Sequence, residues 1–227
     1  KELENDLVAI YDGDKIHIFD IISNTKIANV KVGKKKKDDE SGLAFIRFAP
    51  SVIAFAKPKE IHLWNYMTKK TLDNIKIVHN GDINVMAKSS GCLITASEEE
   101  VKVVHKKEVN TLAQGVIISE FVHLKKDFIA GSSKESIFIW DLVGLMRVAE
   151  FRCSAGHFIR IRNNIILYED KDTRELIVAD CYKDKRKVVG MNIGLALFKK
   201  ISKNEILLVG EDDYIMKFDF LRKKIIN

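Results

Sequence analysis

The sequence predicts an all-β chain built from one repeated four-stranded unit, and three observations carry that expectation. Six short segments run through alternating apolar positions and close on a polar or charged residue: KIHIFD (Lys15–Asp20), EIHLWN (Glu60–Asn65), EVKVVH (Glu100–His105), SIFIWD (Ser136–Asp141), ELIVAD (Glu175–Asp180) and YIMKFD (214–219). Their closing residues, Asp20, Asn65, His105, Asp141, Asp180 and Asp219, stand 45, 40, 36, 39 and 39 positions apart, the period of one blade of a β-propeller. The apolar segments are short, rich in Ile, Val and Phe and alternate with period two, which argues against helices.

Each closing segment is the third strand of its unit. A second strand precedes it across a short turn, giving the pairs LVAIY then IHIF, VIAFA then IHLW, CLITA then VKVV, FIAGS then IFIW, IILYE then LIVA, and ILLVG then IMKF. The turns YDGDK (11–15), SSKES (132–136) and GEDDY (210–214) supply the Asp, Gly and Ser that tight hairpins favour. First strands come ahead of five of the pairs: LAFIRF (43–48), DINVMA (82–87), IISEFVHL (117–124), HFIRI (157–161) and GLALFKKI (194–201). A more polar fourth strand follows each pair, as in TKIANVKV (25–32), KKTLDNIKI (69–77) and LMRVAEF (145–151). Three apolar strands and one polar strand per period suit a blade that buries its inner strands and exposes its rim.

The count is 23 strands, one short of six complete blades, because only six residues precede LVAIY. The expectation is therefore six recognisable blades with the first incomplete, and a full ring of six or seven. An inner strand left out would expose a sheet edge, so further propeller sequence or a strand donated by a partner chain should complete the first blade. Two prolines, twelve glycines and an even spread of apolar segments mark no linker, so residues 1–227 read as a single domain. No apolar run approaches the roughly 20 residues that span a bilayer. Cys92, Cys153 and Cys181 are odd in number and lack metal-ligand spacing, which suits reduced thiols in the cytoplasm or nucleus and argues against a structural zinc site. A net charge of +6 with both signs mixed along the chain is compatible with an acidic or nucleic-acid partner.

Over its whole length the chain resembles a divergent WD-repeat β-propeller. FIAGSSKESIFIWD (128–141) is the best match to that family's second and third strands, with the Trp140-Asp141 ending. GLAFIRFAPSVIAFA (42–56) is similar to its first strand, Ala-Pro turn and second strand, and AGHFIRI (155–161) carries its Gly-His pair. The resemblance makes Asp20, Trp64, Trp140, Asp141, His157, Asp180 and Asp219 structural repeat positions. Trp-Asp survives once and Gly-His once, so the family's polar network is incomplete in most blades and apolar packing must hold the fold.

Lys34, Lys35, Lys36 and Lys37 lie between the first unit's rim strand and the next inner strand. Charge runs of this kind are ordinarily solvated. Together with Arg160 and Arg162 they are the candidate contacts to an acidic partner or RNA. Arg152, in Glu150-Phe151-Arg152-Cys153, is a candidate lipid contact through a faint likeness to the Phe-Arg-Arg-Gly motif of phosphoinositide-binding propellers, though Cys153 and Ser154 replace its second half. Glu98 to Glu100 and Glu211 to Asp213 read as surface-turn carboxylates. The six histidines are scattered, and no catalytic grouping, phosphate loop or metal motif is present, so neither cofactor nor metal is expected. The resemblance implies a non-catalytic protein-interaction scaffold in a eukaryotic multiprotein or ribonucleoprotein assembly. Its alternatives are phosphoinositide recruitment to membranes and a basic RNA-contacting subunit.

Overall fold

The computed structural model describes all residues except 1, 4–5, 34–42, 106–107, 184, 192–193, 212–213, 223 and 227, and leaves out the side chains of 73–76, 156–157, 191, 196 and 224. The described residues form 23 strands joined by turns. They divide into two compact units, Lys1–Val116 and Ile117–Asn227.

The first unit holds three antiparallel sheets whose strands neighbour one another in sequence order. They comprise β1 (Leu7–Tyr11), β2 (Lys15–Asp20) and β3 (Thr25–Lys31); β4 (Phe45–Ala49), β5 (Val52–Lys57), β6 (Glu60–Asn65) and β7 (Lys70–Val78); and β8 (Ile83–Ser89), β9 (Cys92–Ser97), β10 (Glu100–His105) and β11 (Glu108–Gln114). The second unit repeats the plan three times: β12 (Glu120–His123), β13 (Phe128–Ser132), β14 (Ser136–Asp141) and β15 (Met146–Arg152); β16 (Ala155–Arg162), β17 (Ile165–Asp170), β18 (Glu175–Asp180) and β19 (Lys185–Met191); and β20 (Leu195–Lys200), β21 (Glu205–Gly210), β22 (Ile215–Asp219) and β23 (Lys224–Ile226).

Burial follows strand position. The second strands β5 and β9 are buried along almost their whole length, and β14 is buried from Ser136 to Trp140, consistent with near-continuous apolar runs covered on both faces. First strands are less buried than expected, and every residue of β12 is only partly covered. Each first strand is an edge, paired on one side by the second strand. The longer reading of 117–124 as one strand also shrinks to Glu120–His123.

The closing residue of each third strand has a specific task. Asp20 Oδ1 accepts the N–H groups of Ile22 (2.8 Å) and Ser23 (3.1 Å), and Asn65 Oδ1 those of Met67 (3.0 Å) and Thr68 (2.9 Å). Asp141 Oδ1 accepts from Val143 (2.9 Å), Asp180 Oδ1 from Tyr182 (3.1 Å) and Lys183 (3.3 Å), and Asp219 Oδ1 from Leu221 (2.9 Å) and Arg222 (3.1 Å). An oxygen one methylene from its own backbone suits this turn, which is why Asp and Asn recur there. The Ser23 amide leads the contacts that hold the Asp20 carboxyl below its ordinary range. His105, closing β10, is followed by residues outside the described set. Replacing Asn65 with Ala should cost about 1 kcal/mol, the net value of such bonds, measured as a shift in denaturant midpoint.

A second repeated contact joins successive sheets within each unit. Arg160 Nη1 donates to the carbonyl of Leu124 (2.9 Å) and Lys200 Nζ to that of Ile161 (2.6 Å), so a cation on one first strand caps the end of the preceding one. In the first unit Arg47 Nη1 does the same to Leu3 (3.3 Å). Leu3 is buried, its N–H donates to the Leu7 carbonyl (2.8 Å), and Glu2 forms a bridge with Val8. Leu124 donates to Phe128 in the same way (3.0 Å). Glu2 and Leu3 thus occupy the place that His123 and Leu124 hold in β12 and its turn, so part of the first sheet's inner edge is covered by the chain itself. A sequence signal for this existed: Leu3, Leu124, Ile161 and Ile201 each precede the start of a second strand by four residues.

Candidate functional site

In the second unit, three first-to-second-strand turns converge on one hollow of about 290 Å³. The end of β12 and its turn supply His123, Lys125 and Lys126; β16 and its turn supply Arg160, Arg162 and Asn163; β20 and its turn supply Lys200 and Lys203. Lys126 and Asn163 adopt left-handed backbone (φ 58° and 49°) that tightens their turns. Leu124 and Ile161 are buried and form the apolar floor. No carboxylate lines the hollow, and Glu205, the acid next along from Lys203, is paired with Lys217 at 2.9 Å. Burial, then the nearby Arg160 charge, pushes the His123 imidazole below its usual pKa.

Sequence reading had singled out Arg160 and Arg162, and the fold brings both to this hollow. Arg160 is half committed to the Leu124 carbonyl, whereas Arg162 is exposed. The lysines and histidine were missed because they lie on other repeats. The spacing of Lys200 was legible in retrospect, since Arg160 and Lys200, standing just before Ile161 and Ile201, are 40 positions apart, about one repeat period. Lys34 to Lys37 lie outside the described residues, as does the His157 side chain. Arg152 is exposed at the end of β15, opposite Ser136, away from the end of that sheet where Phe128 faces Asp141 and the β12–β13 turn lies. Its carbonyl accepts from Arg186 Nη1 (3.2 Å), whose guanidinium covers the buried Phe151 ring at 5.0 Å. Trp64 and Trp140 are buried.

One carboxylate reading needs correction. Glu98 and Glu99 are exposed, but Glu100 is buried, because it opens β10, a strand covered on both faces where Glu100 and Val101 are buried alike. Its Oε1 accepts the Asn80 N–H and the Lys102 ammonium, each at 2.9 Å, and lies 3.7 Å from His79 Nδ1. His79 Nε2 meets Thr95 Oγ1 at 2.8 Å. Burial first, then the Lys102 charge, pushes the His79 pKa down to about 4. Burial opposes ionisation of Glu100, but the Lys102 and Asn80 hydrogen bonds and the Lys102 charge hold its carboxyl below the ordinary value. A second buried carboxylate, Glu169, accepts the N–H groups of Gly194 and Leu195, each at 2.7 Å.

All three cysteines are free and buried. Burial raises the Cys153 thiol to about 11 and the Cys181 thiol to about 12, so both are protonated at neutral pH. Among the described residues, no three His, Cys, Asp or Glu side chains come together as metal ligands would, and no helix is long and apolar enough to cross a membrane.

Four-stranded antiparallel sheets repeated in sequence order define a β-propeller fold. No protein-family model matches the sequence, and no curated protein sequence matches it. Solved structures match the fold across nearly the whole chain. The chain is similar to the computationally designed Ika8 protein (TM-score 0.75, 13% identity, 100% of this chain and 72% of that one). It is also similar to Hsv2 from Kluyveromyces marxianus (TM-score 0.68, 15% identity, 98% and 79%) and to BamB from Moraxella catarrhalis (TM-score 0.72, 15% identity, 96% and 70%).

Proposed function

We propose that this chain is a non-catalytic interaction scaffold, a divergent propeller of the WD-repeat kind, which holds protein partners within a eukaryotic multiprotein or ribonucleoprotein assembly in the cytoplasm or nucleus. The observation that carries the reading is the content of the side-chain-locked turns. Two residues after Asp20, Asn65, Asp141, Asp180 and Asp219 stand Ile22, Met67, Val143, Tyr182 and Leu221, all large, apolar or aromatic, and between 55% and 79% exposed. In four of these turns the intervening residue (Tyr66, Leu142, Cys181 or Phe220) is buried and anchors the turn. Apolar side chains held out from rigid turns at equivalent places suit contact with another protein surface. Free, buried cysteines agree with a reducing compartment.

The test is affinity capture from the source cell with a Met67→Ser, Val143→Ser, Leu221→Ser variant beside the wild-type chain. The expected result is a protein partner retained by the wild type at high salt and lost by the variant with no change in unfolding midpoint. Capture indifferent to the three changes overturns the reading.

A further inference from the structure

We propose that the hollow between the β12, β16 and β20 turns is a binding site for a compact oligophosphate, a small ligand with several phosphate groups close together. The inference is independent of the apolar turn tips. The hollow gathers six Lys and Arg residues, with His123 and the Asn163 amide, and no acid among its lining. Like charges held this close repel one another, and a multiply charged anion relieves that repulsion while satisfying several donors at once. Its volume of about 290 Å³ lies at the lower end of the roughly 300–1,000 Å³ of small-molecule sites, which favours a compact ligand over a polymer.

The floor is prepared for an anion. Strand ends present carbonyl oxygens, which repel phosphate, yet Leu124 O is capped by Arg160 and Ile161 O by Lys200. These bonds also aim two cations into the same space from neighbouring sheets. Lys125, Arg162 and Lys203 are exposed and stand around the floor, free to turn their donors toward phosphate oxygens, with Lys126 exposed beside them. The same arrangement does not recur in the first unit, where the corresponding turns contain Pro50, Ser51, Ser90 and Gly91.

Isothermal titration with sodium tripolyphosphate tests the proposal on the full chain, using Arg162→Gln, Lys203→Gln as the site variant. Neither residue makes the latch to a strand-end carbonyl, so folding should be retained. Lys134→Gln, Lys171→Gln, two exposed lysines of the same unit that do not line the hollow, gives the same change in net charge. The expected result is saturable one-to-one binding, weakened about tenfold or more in the site variant by loss of two charge-assisted contacts and unchanged in the control. Flotation with vesicles carrying phosphatidylinositol bisphosphate identifies the source. Flotation lost in the site variant assigns the phosphates to a membrane headgroup, and binding of tripolyphosphate without flotation assigns them to a soluble ligand. No saturable binding, or equal weakening by both variants, refutes the site. Tighter binding of a single-stranded RNA, abolished by the same two changes, also overturns the proposal and gives the hollow to nucleic acid.

Discussion

Replacing Trp140 with Ala should lower stability by about 3–5 kcal/mol, the range for deleting a buried Trp or Phe side chain. The indole is fully buried in β14, with Phe121 edge-on at 6.3 Å and Phe138 tilted against it at 5.6 Å. Gly131 on β13 makes room for it, since a Cβ there would stand 2.8 Å from the indole and 3.0 Å from Phe121. Among the described residues the indole Nε1 has no hydrogen-bond partner, so the loss is one of packing. Trp140→Phe should therefore recover most of the stability, at a cost of about 1 kcal/mol. Urea unfolding reads both values. A loss under about 1 kcal/mol for W140A would show that the sheet closes over the vacated space and that this packing is not a main source of stability.

Removing Glu100 should cost about 3 kcal/mol at neutral pH, because Glu100→Ala leaves the Asn80 N–H without its acceptor and the part-buried Lys102 ammonium with the Val78 carbonyl (2.6 Å) but no countercharge. The same cluster sets an acid dependence. His79 has a folded pKa of about 4 against 6.5 unfolded, so between those values the unfolded chain takes up the proton first and stability falls as pH drops. Glu100, lowered from 4.5, adds a loss of the same sign as pH falls through its folded value. The His79 share is on the order of 2–3 kcal/mol. Unfolding free energies at pH 7.0, 5.5 and 4.5 should decline in the wild type and decline less in His79→Gln. A flat profile, or a Glu100→Ala loss below about 1 kcal/mol, would place this cluster outside the stabilising core.

Strand positions were legible because apolar alternation and the Asp or Asn at five of the six third-strand ends reflect local constraints, the pleat and the turn acceptor. Glu100 was not, since three successive glutamates look like solvated turn chemistry and only the start of β10 at Glu100 decides which one is buried. The hollow was half legible for a related reason. Arg160 and Arg162 are two apart and form a visible pair, whereas Lys126 and Lys203 meet them only because first strands of successive sheets lie side by side. The covering of β1 by Glu2 and Leu3 was half legible too, since Leu3 keeps the four-residue spacing to its second strand that Leu124, Ile161 and Ile201 show, but two residues alone cannot display the alternation of a strand.

The turn lock separates two demands that usually compete at a protein surface. In five turns the backbone is fastened by an Asp or Asn side chain and the protruding position two residues later is Ile, Met, Val, Tyr or Leu. Five different side chains on one kind of fastening mean that the fastening does not depend on which residue stands outermost, although the Tyr182 ring also packs edge-on against Phe128 at 4.9 Å. Mutation can therefore rewrite what such a turn touches while the blade beneath stays folded, and a duplicated gene could drift to a new partner one turn at a time.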